Sequence, residues 1–229
     1  MVKYITFLKG DVALEREKFQ ERYIVAAKSL TRNGEMPGRL VVNLVIDPPL
    51  DVPYKPTPDN ADGPKQYDII VEYIPSASSA WASEQVVNLA SLVPGIAAAH
   101  TFRVEEIIER DSVAIVVGQR SPGVKYVGRL KFRSDLPNSA AHRAWALHAK
   151  RALKVHVGAV KYARNIVIEA LDIGAPDTSG VVQLHFPTMQ DLVERFFDSD
   201  RGAEAIQHDV AHFVESVDCL YVNEYVLAT

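Results

Sequence analysis

Apolar and polar positions alternate at both ends of a repeated segment. Val2–Leu8 alternates and is rich in β-branched and aromatic residues, which predicts a strand. The same pattern returns 122 positions later: VKYITFLKG (2–10) is echoed by VKYVGRLKF (124–132). Between them the period changes to that of a helix. Arg16, Phe19, Tyr23, Ala26, Ala27 and Leu30 fall on one stripe, so Leu14–Arg32 is predicted helical, closed by the turn residues Asn33–Gly38. Strands follow at Arg39–Ile46 and Tyr67–Ile74. A helix follows at Ser76–Leu92 with Ser76 or Ser78 as its cap, then a strand at Thr101–Ile108.

The second half gives the same order. Its elements are a strand at Val124–Arg133, a helix at Asn138–His156 capped by Asn138 or Ser139, and strands at Gly158–Glu169 and Gly180–Phe186. A helical stretch at Thr188–Phe213, broken near DSDRG, and a strand at Val217–Leu227 complete it. VEEII (104–108) and VNEYV (222–226) match the two ends, 118 positions apart. Strand-helix-strand-strand-helix-strand is a split β-α-β, or ferredoxin-like, unit. One such unit leaves a sheet face bare, and two in one chain can cover each other. The expected fold class is therefore α+β: two ferredoxin-like β-α-β-β-α-β units, at 1–112 and 122–229, packed sheet to sheet as an intramolecular α+β barrel. Val113–Gly118 is expected to add a strand between them, with QRSPG (119–123) as the hinge.

One segment breaks the pattern. Asp47–Gln66 holds six prolines, which exclude a helix or central strand. A loop of that length inside a compact domain points to a lid or binding loop.

Composition narrows the function classes. Of 229 residues, 25 are basic and 29 acidic, for a net charge of −4, with no Lys/Arg cluster, so no nucleic-acid partner is expected. No apolar run approaches the ~18 residues of a membrane span, so no membrane partner is expected either. The N-terminus reads as a strand rather than a signal peptide. Cys219 is the one cysteine, which excludes an internal disulfide and suits a reducing, cytoplasmic setting. There is no G-x-S-x-G, no G-x-G-x-x-G and no phosphate loop. His208 and His212 stand at i and i+4, a chelating spacing, but no third ligand accompanies them and no metal is expected.

The candidate chemistry lies in the second half. Trp145, Ala149, Ala152 and His156 share a helix face, and His148 sits at its edge, looking into the gap between helix and sheet. A histidine titrating near ~6.5 suits general acid–base work. Gln183 and His185 share one strand face. Tyr162 and Asn165 fall on opposite faces of their strand unless a bulge intervenes, and Tyr162 is the better lining residue. Asp209 and His212 stand at i and i+3 as a candidate Asp–His pair. The residues selected are His148, His185 and Tyr162 as catalytic, and Trp145, Asn165, Gln183 and His156 as substrate-binding.

These residues carry a resemblance. The pattern is an aromatic followed by HA (Trp145, His148–Ala149), then Gly158, Tyr162 and Asn165. Asp209 with Phe213 and finally Glu224 complete it, and it resembles the EthD-like group of the dimeric α+β barrel superfamily. The first half is similar in element order, in Pro37, Gly38 and Asn43, and in Phe19 and Tyr23. Its histidine position falls on Ala26–Ala27 and its tyrosine position on Val42, so its site reads as emptied. His148 also follows Trp145 by three residues, where the family more often has four.

The resemblance implies a pocket between the helices and sheet of one unit. It implies cofactor-free decarboxylases, isomerases, cyclases or monooxygenases acting on small aromatic or polyketide-like compounds. It also implies that Asp209 ties its helix to a loop. The expected function is a cofactor-independent lyase or isomerase, decarboxylation preferred, acting on a small aromatic molecule. The alternative is a non-catalytic ligand carrier, with His148 or His185 as a haem ligand, or an accessory protein. A homodimer is compatible with either.

Overall fold

The computed structural model describes residues 2–34, 37–55, 67–76 and 82–229. The first half contributes β1 (Val2–Gly10), α1 (Arg16–Arg32), β2 (Gly38–Ile46), β3 (Ile69–Pro75), α2 (Ala82–Ala90) and β4 (Ile96–Asp111). The second contributes β5 (Val124–Phe132), α3 (Asn138–Val155), β6 (Lys161–Ala170) and β7 (Gly180–Phe186). It ends with α4 (Met189–Glu194), α5 (Asp200–Ala211) and β8 (Val214–Ala228).

The eight strands close into one antiparallel barrel, ordered β1-β3-β2-β8-β5-β7-β6-β4. Each half supplies four neighbouring strands in the order fourth, first, third, second. The expected face-to-face stack is thereby refined. The two sheets join edge to edge at β2–β8 and β4–β6, which leaves no open strand edge. These seams explain why β4 and β8 run longer than the apolar pattern predicts. Each pairs with a strand of its own half along one part and with the other half along another.

Alternation along each strand sends one residue to the helices and the next into the barrel. On β5, Val124, Tyr126 and Leu130 pack under the helices, while Lys125 and Val127 point inward. The interior is part apolar, with Ile5, Phe7, Phe102 and Val222. The rest is an ionic network. Lys3 Nζ pairs with Glu72 at 2.5 Å and Glu106 at 2.7 Å. Lys125 Nζ pairs with Glu72 at 2.9 Å and with Glu224, and donates to Asn43 Oδ1 at 2.8 Å.

Three expectations need correction. Val113–Gly118 forms no strand. The linker lies along β8, where Gly118 N–H donates to Val226 O and Ser121 N–H to Glu224 O. Pro137, not Asn138 or Ser139, stands at the cap of α3, and no side chain caps that end. Ser76 ends the β2–β3 ladder, its N–H donating to Pro37 O. Ser78 lies outside the described residues.

Candidate functional site

The helix α3 lies on its sheet through Ala141, Trp145, His148, Ala149, Ala152 and Val155, all buried. Three alanines in this stripe let the backbone approach, and the larger side chains between them define the space that remains. A cavity of about 290 Å³ runs along this contact, bounded by α3, α5 and the outer faces of β5, β6, β7 and β8. That volume lies at the lower edge of the ~300–1,000 Å³ common for small-molecule sites. Its walls are largely aliphatic and aromatic.

Trp145 closes the sheet side. Its ring lies against Gly180, where a Cβ would come within 2.5 Å of a ring carbon. The Arg164 guanidinium sits over the ring at 5.4 Å from the centroid. Tyr162 lines the cavity beside it, and burial pushes its phenol up.

His148 is the candidate base. Its Nδ1–H donates to Asp209 Oδ2 at 3.2 Å. The carboxylate only accepts, so the hydrogen must be on Nδ1 and the Nε2 lone pair is free to face the cavity. Burial lowers the imidazole's pKa, and Asp209 opposes that shift without overcoming it. At neutral pH the ring is uncharged and able to accept a proton. Asp209 also accepts from Arg151 Nη1 at 2.6 Å. The carboxylate thus links α3 to α5. The expected Asp209–His212 pair does not form, because His212 Nδ1–H turns back to His208 O at 2.6 Å.

His156 stands at the other end of α3. Its Nδ1–H donates to Phe196 O at 2.6 Å, and burial lowers its pKa to about 4. It too is neutral, with Nε2 as an acceptor.

The structure therefore brings together Trp145, His148, His156 and Tyr162. It separates them from the other three selected residues. His185, Gln183 and Asn165 point into the barrel, on the far side of the sheet. His185 Nε2–H donates to Pro122 O at 2.6 Å, with Glu224 4.0 Å from Nδ1. Gln183 Nε2 donates to Glu72 at 2.9 Å, and Asn165 Nδ2 to Val181 O at 3.0 Å. The correction follows from strand alternation. Leu184 and Val182 face the cavity, so Gln183 and His185 cannot.

Among the wall residues that were not anticipated are two tyrosines. Tyr126 reaches Cys219 Sγ at 3.2 Å, and burial pushes the thiol up to about 11. Tyr54 comes from the first half, out of the proline-rich loop. Val52 beside it is buried in the second half's core. The signal available was an aromatic set among prolines in a long loop.

The corresponding space in the first half is packed. Matching the halves by strand pairing puts Leu40, not Val42, in the place of Tyr162. Leu40 and Ala27 are fully buried in a cluster with Phe19, Tyr23 and Tyr73. Among the described residues no group of three His, Cys, Asp or Glu gathers as metal ligands. A porphyrin does not fit either. His185 is tied inside the barrel, and no Lys or Arg lines the cavity beside His148 to meet propionates.

Comparison with known proteins agrees with this geometry. The EthD domain family matches residues 133–216, a span that runs from the end of β5 into β8 and includes both cavity helices. That stretch is similar to the EthD domain. A crystal structure of an anthrone oxidase-like protein superposes with a TM-score of 0.63 at 8% identity, covering 100% of this chain and 94% of that one. A provisionally named monooxygenase from Lactobacillus acidophilus NCFM gives 0.55 at 11% identity, covering 99% and 95%. A mutant chlorite dismutase from Candidatus Nitrospira defluvii gives 0.53 at 11%, covering 97% and 90%. At such identities the likeness is one of fold. No curated protein sequence matches the chain.

Proposed function

We propose that this protein is an enzyme that moves a proton on a small, uncharged, hydroxylated aromatic molecule, with His148 as the base. One observation carries the reading: a neutral imidazole, its Nδ1–H held by Asp209, lines a largely apolar cavity. Such surroundings strengthen the few polar contacts a ligand makes. Removing a proton from a ring hydroxyl, or from carbon beside a ring ketone, leaves an anion that the ring system delocalises. That step draws only on the chain's own groups.

The same anion opens an isomerisation, a decarboxylation or a reaction with oxygen. Among the residues lining the cavity none is Lys or Arg and one is Glu215, so no fixed cation there meets a carboxylate. This favours proton relocation over the decarboxylation expected from the sequence. The names of the similar structures, anthrone oxidase-like and monooxygenase, are compatible with the same first step.

The reading includes the origin of the chain: two units, 1–112 and 122–229, descended from one, with the site kept in the second. It places the protein in the cytoplasm, and among the described residues no helix is long and apolar enough to cross a membrane. A homodimer would use outer surfaces, since the sheet has no free edge.

The test is turnover of a panel of hydroxylated ring ketones and phenols by the wild type and His148→Ala. A loss of about 10²–10⁴-fold in kcat supports the base. Full turnover by His148→Ala on a substrate that the wild type converts rejects it.

A further inference from the structure

The cavity has a second polar end, built partly by the first half. His156 follows the last residue of α3, eight residues beyond His148, or about 12 Å along the axis. Tyr54 reaches the same end. Both rings lean on Phe196, at 5.4 Å for Tyr54 and 4.9 Å for His156, and both lean on Phe197, at 6.0 and 5.5 Å. The segment that carries Tyr54 is anchored. Tyr221 Oη–H donates to Tyr54 O at 2.7 Å, and Val52 is 3% exposed within the second half's core. Both residues line the cavity. Among the described residues neither Tyr54 Oη nor His156 Nε2 has a hydrogen-bond partner in the protein.

A phenol donor and an imidazole acceptor without protein partners, at one end of a largely apolar cavity, specify a ligand group. A hydroxyl satisfies both, accepting from Tyr54 and donating to His156. A ring carbonyl satisfies Tyr54 alone, and a hydrogen satisfies neither. We infer that Tyr54 and His156 form a second binding station, and that Tyr54 selects ring systems bearing oxygen at both ends. One oxygen meets His148 and the other meets Tyr54. This rests on the proposed function for the role of the His148 end. The station itself stands on the packing of Tyr54 and His156.

The geometry also gives the proline-rich segment a task. Pro48, Pro49 and Pro53 stiffen 47–55, and the turn closed by Val52 N–H on Pro49 O helps present one side chain across the barrel seam. The first half thus supplies specificity to the site that the second half holds.

The experiment is a pair of binding titrations, with 2-naphthol and 2,6-dihydroxynaphthalene, on the wild type, Tyr54→Phe and His148→Ala. The wild type is expected to bind the diol about tenfold tighter, the worth of one or two net hydrogen bonds. Tyr54→Phe keeps the ring packing, so its Tm stays at the wild-type value. Its preference for the diol falls to about twofold. Equal affinity of the wild type for both probes overturns the inference. So does an undiminished preference in Tyr54→Phe, or the absence of saturable binding of either probe. His148→Ala separates the two readings. If it keeps both the diol preference and full turnover, the base assignment fails while the second station stands.

Discussion

Asn43 and Asn165 make the same hydrogen bond in opposite halves of the barrel. Asn43 Nδ2 donates to Ile70 O at 3.1 Å, and Asn165 Nδ2 donates to Val181 O at 3.0 Å. Each faces a glutamate across a seam, Asn43 opposite Glu224 and Asn165 opposite Glu106. Lys3 and Lys125 occupy matching places one strand away. The likeness breaks at Glu72, which corresponds to Gln183 in the second half. Two lysines therefore share Glu72, and Gln183 donates to it as well.

This arrangement makes Lys125 a keystone of the interior. Burial pulls its pKa down, but Glu224 and Glu72 more than compensate. Burial likewise pushes Glu224 up, and Lys125 outweighs that, holding it at about 2. Lys125→Met should strand charge on Glu224 and cost about 3–5 kcal/mol in denaturant unfolding. Adding Glu224→Gln should recover part of that loss. A single variant as stable as the wild type would show that the network contributes nothing.

Asp209 should govern the protonation of His148 rather than bind substrate. Asp209→Asn should lower kcat with KM little changed. The wild-type pH profile should show kcat/KM rising through a pKa below the ordinary 6.5, because the base acts when neutral and burial keeps it so. In Asp209→Asn that pKa should fall further, since the opposing carboxylate is gone. An unmoved profile would separate Asp209 from the base.

Much of this was legible in the chain. Element order, the helix stripe around Trp145 and the opposition of Tyr162 and Asn165 all follow from periods of 3.6 and 2.0. The residues repeated between the halves were legible too, but their meaning was not. Lys3, Lys125, Asn165 and Glu224 look like site residues in a motif, and they are the barrel's interior. Which face of β7 meets the helices depends on register with β5 and β6, so His185 read as well for one side as for the other. Tyr54 was beyond reach. Its contacts with Tyr126 and Phe196 cross the seam between halves, and no local pattern encodes them.

Gly180 should set the shape of the cavity wall. A Cβ there would meet two Trp145 ring carbons at 2.5 and 2.7 Å. Gly180→Ala should push the indole inward, destabilise by about 1–3 kcal/mol and weaken ligand binding. Trp145→Phe in the same chain should relieve the clash, and the pair should be less destabilised than the sum of the singles. Additive effects would mean that the sheet, not the indole, gives way.

His156 should make stability depend on pH in the acid range. Its folded pKa is about 4, lowered by burial, against 6.5 when unfolded. Between these values the unfolded chain binds the proton and the folded one resists it, so stability rises with pH across that window. The contribution is fully present above pH ~6.5 and lost as pH falls toward ~4, in total roughly 3 kcal/mol. His148 adds in the same direction, since its pKa is also lowered. His156→Asn keeps a donor for Phe196 O but does not titrate. In thermal unfolding between pH 7.5 and 4.5 the wild type should lose Tm steadily, and His156→Asn should lose markedly less. Parallel curves for the two would mean that the ring is protonated in the folded state, and the acceptor role of Nε2 would fall with it.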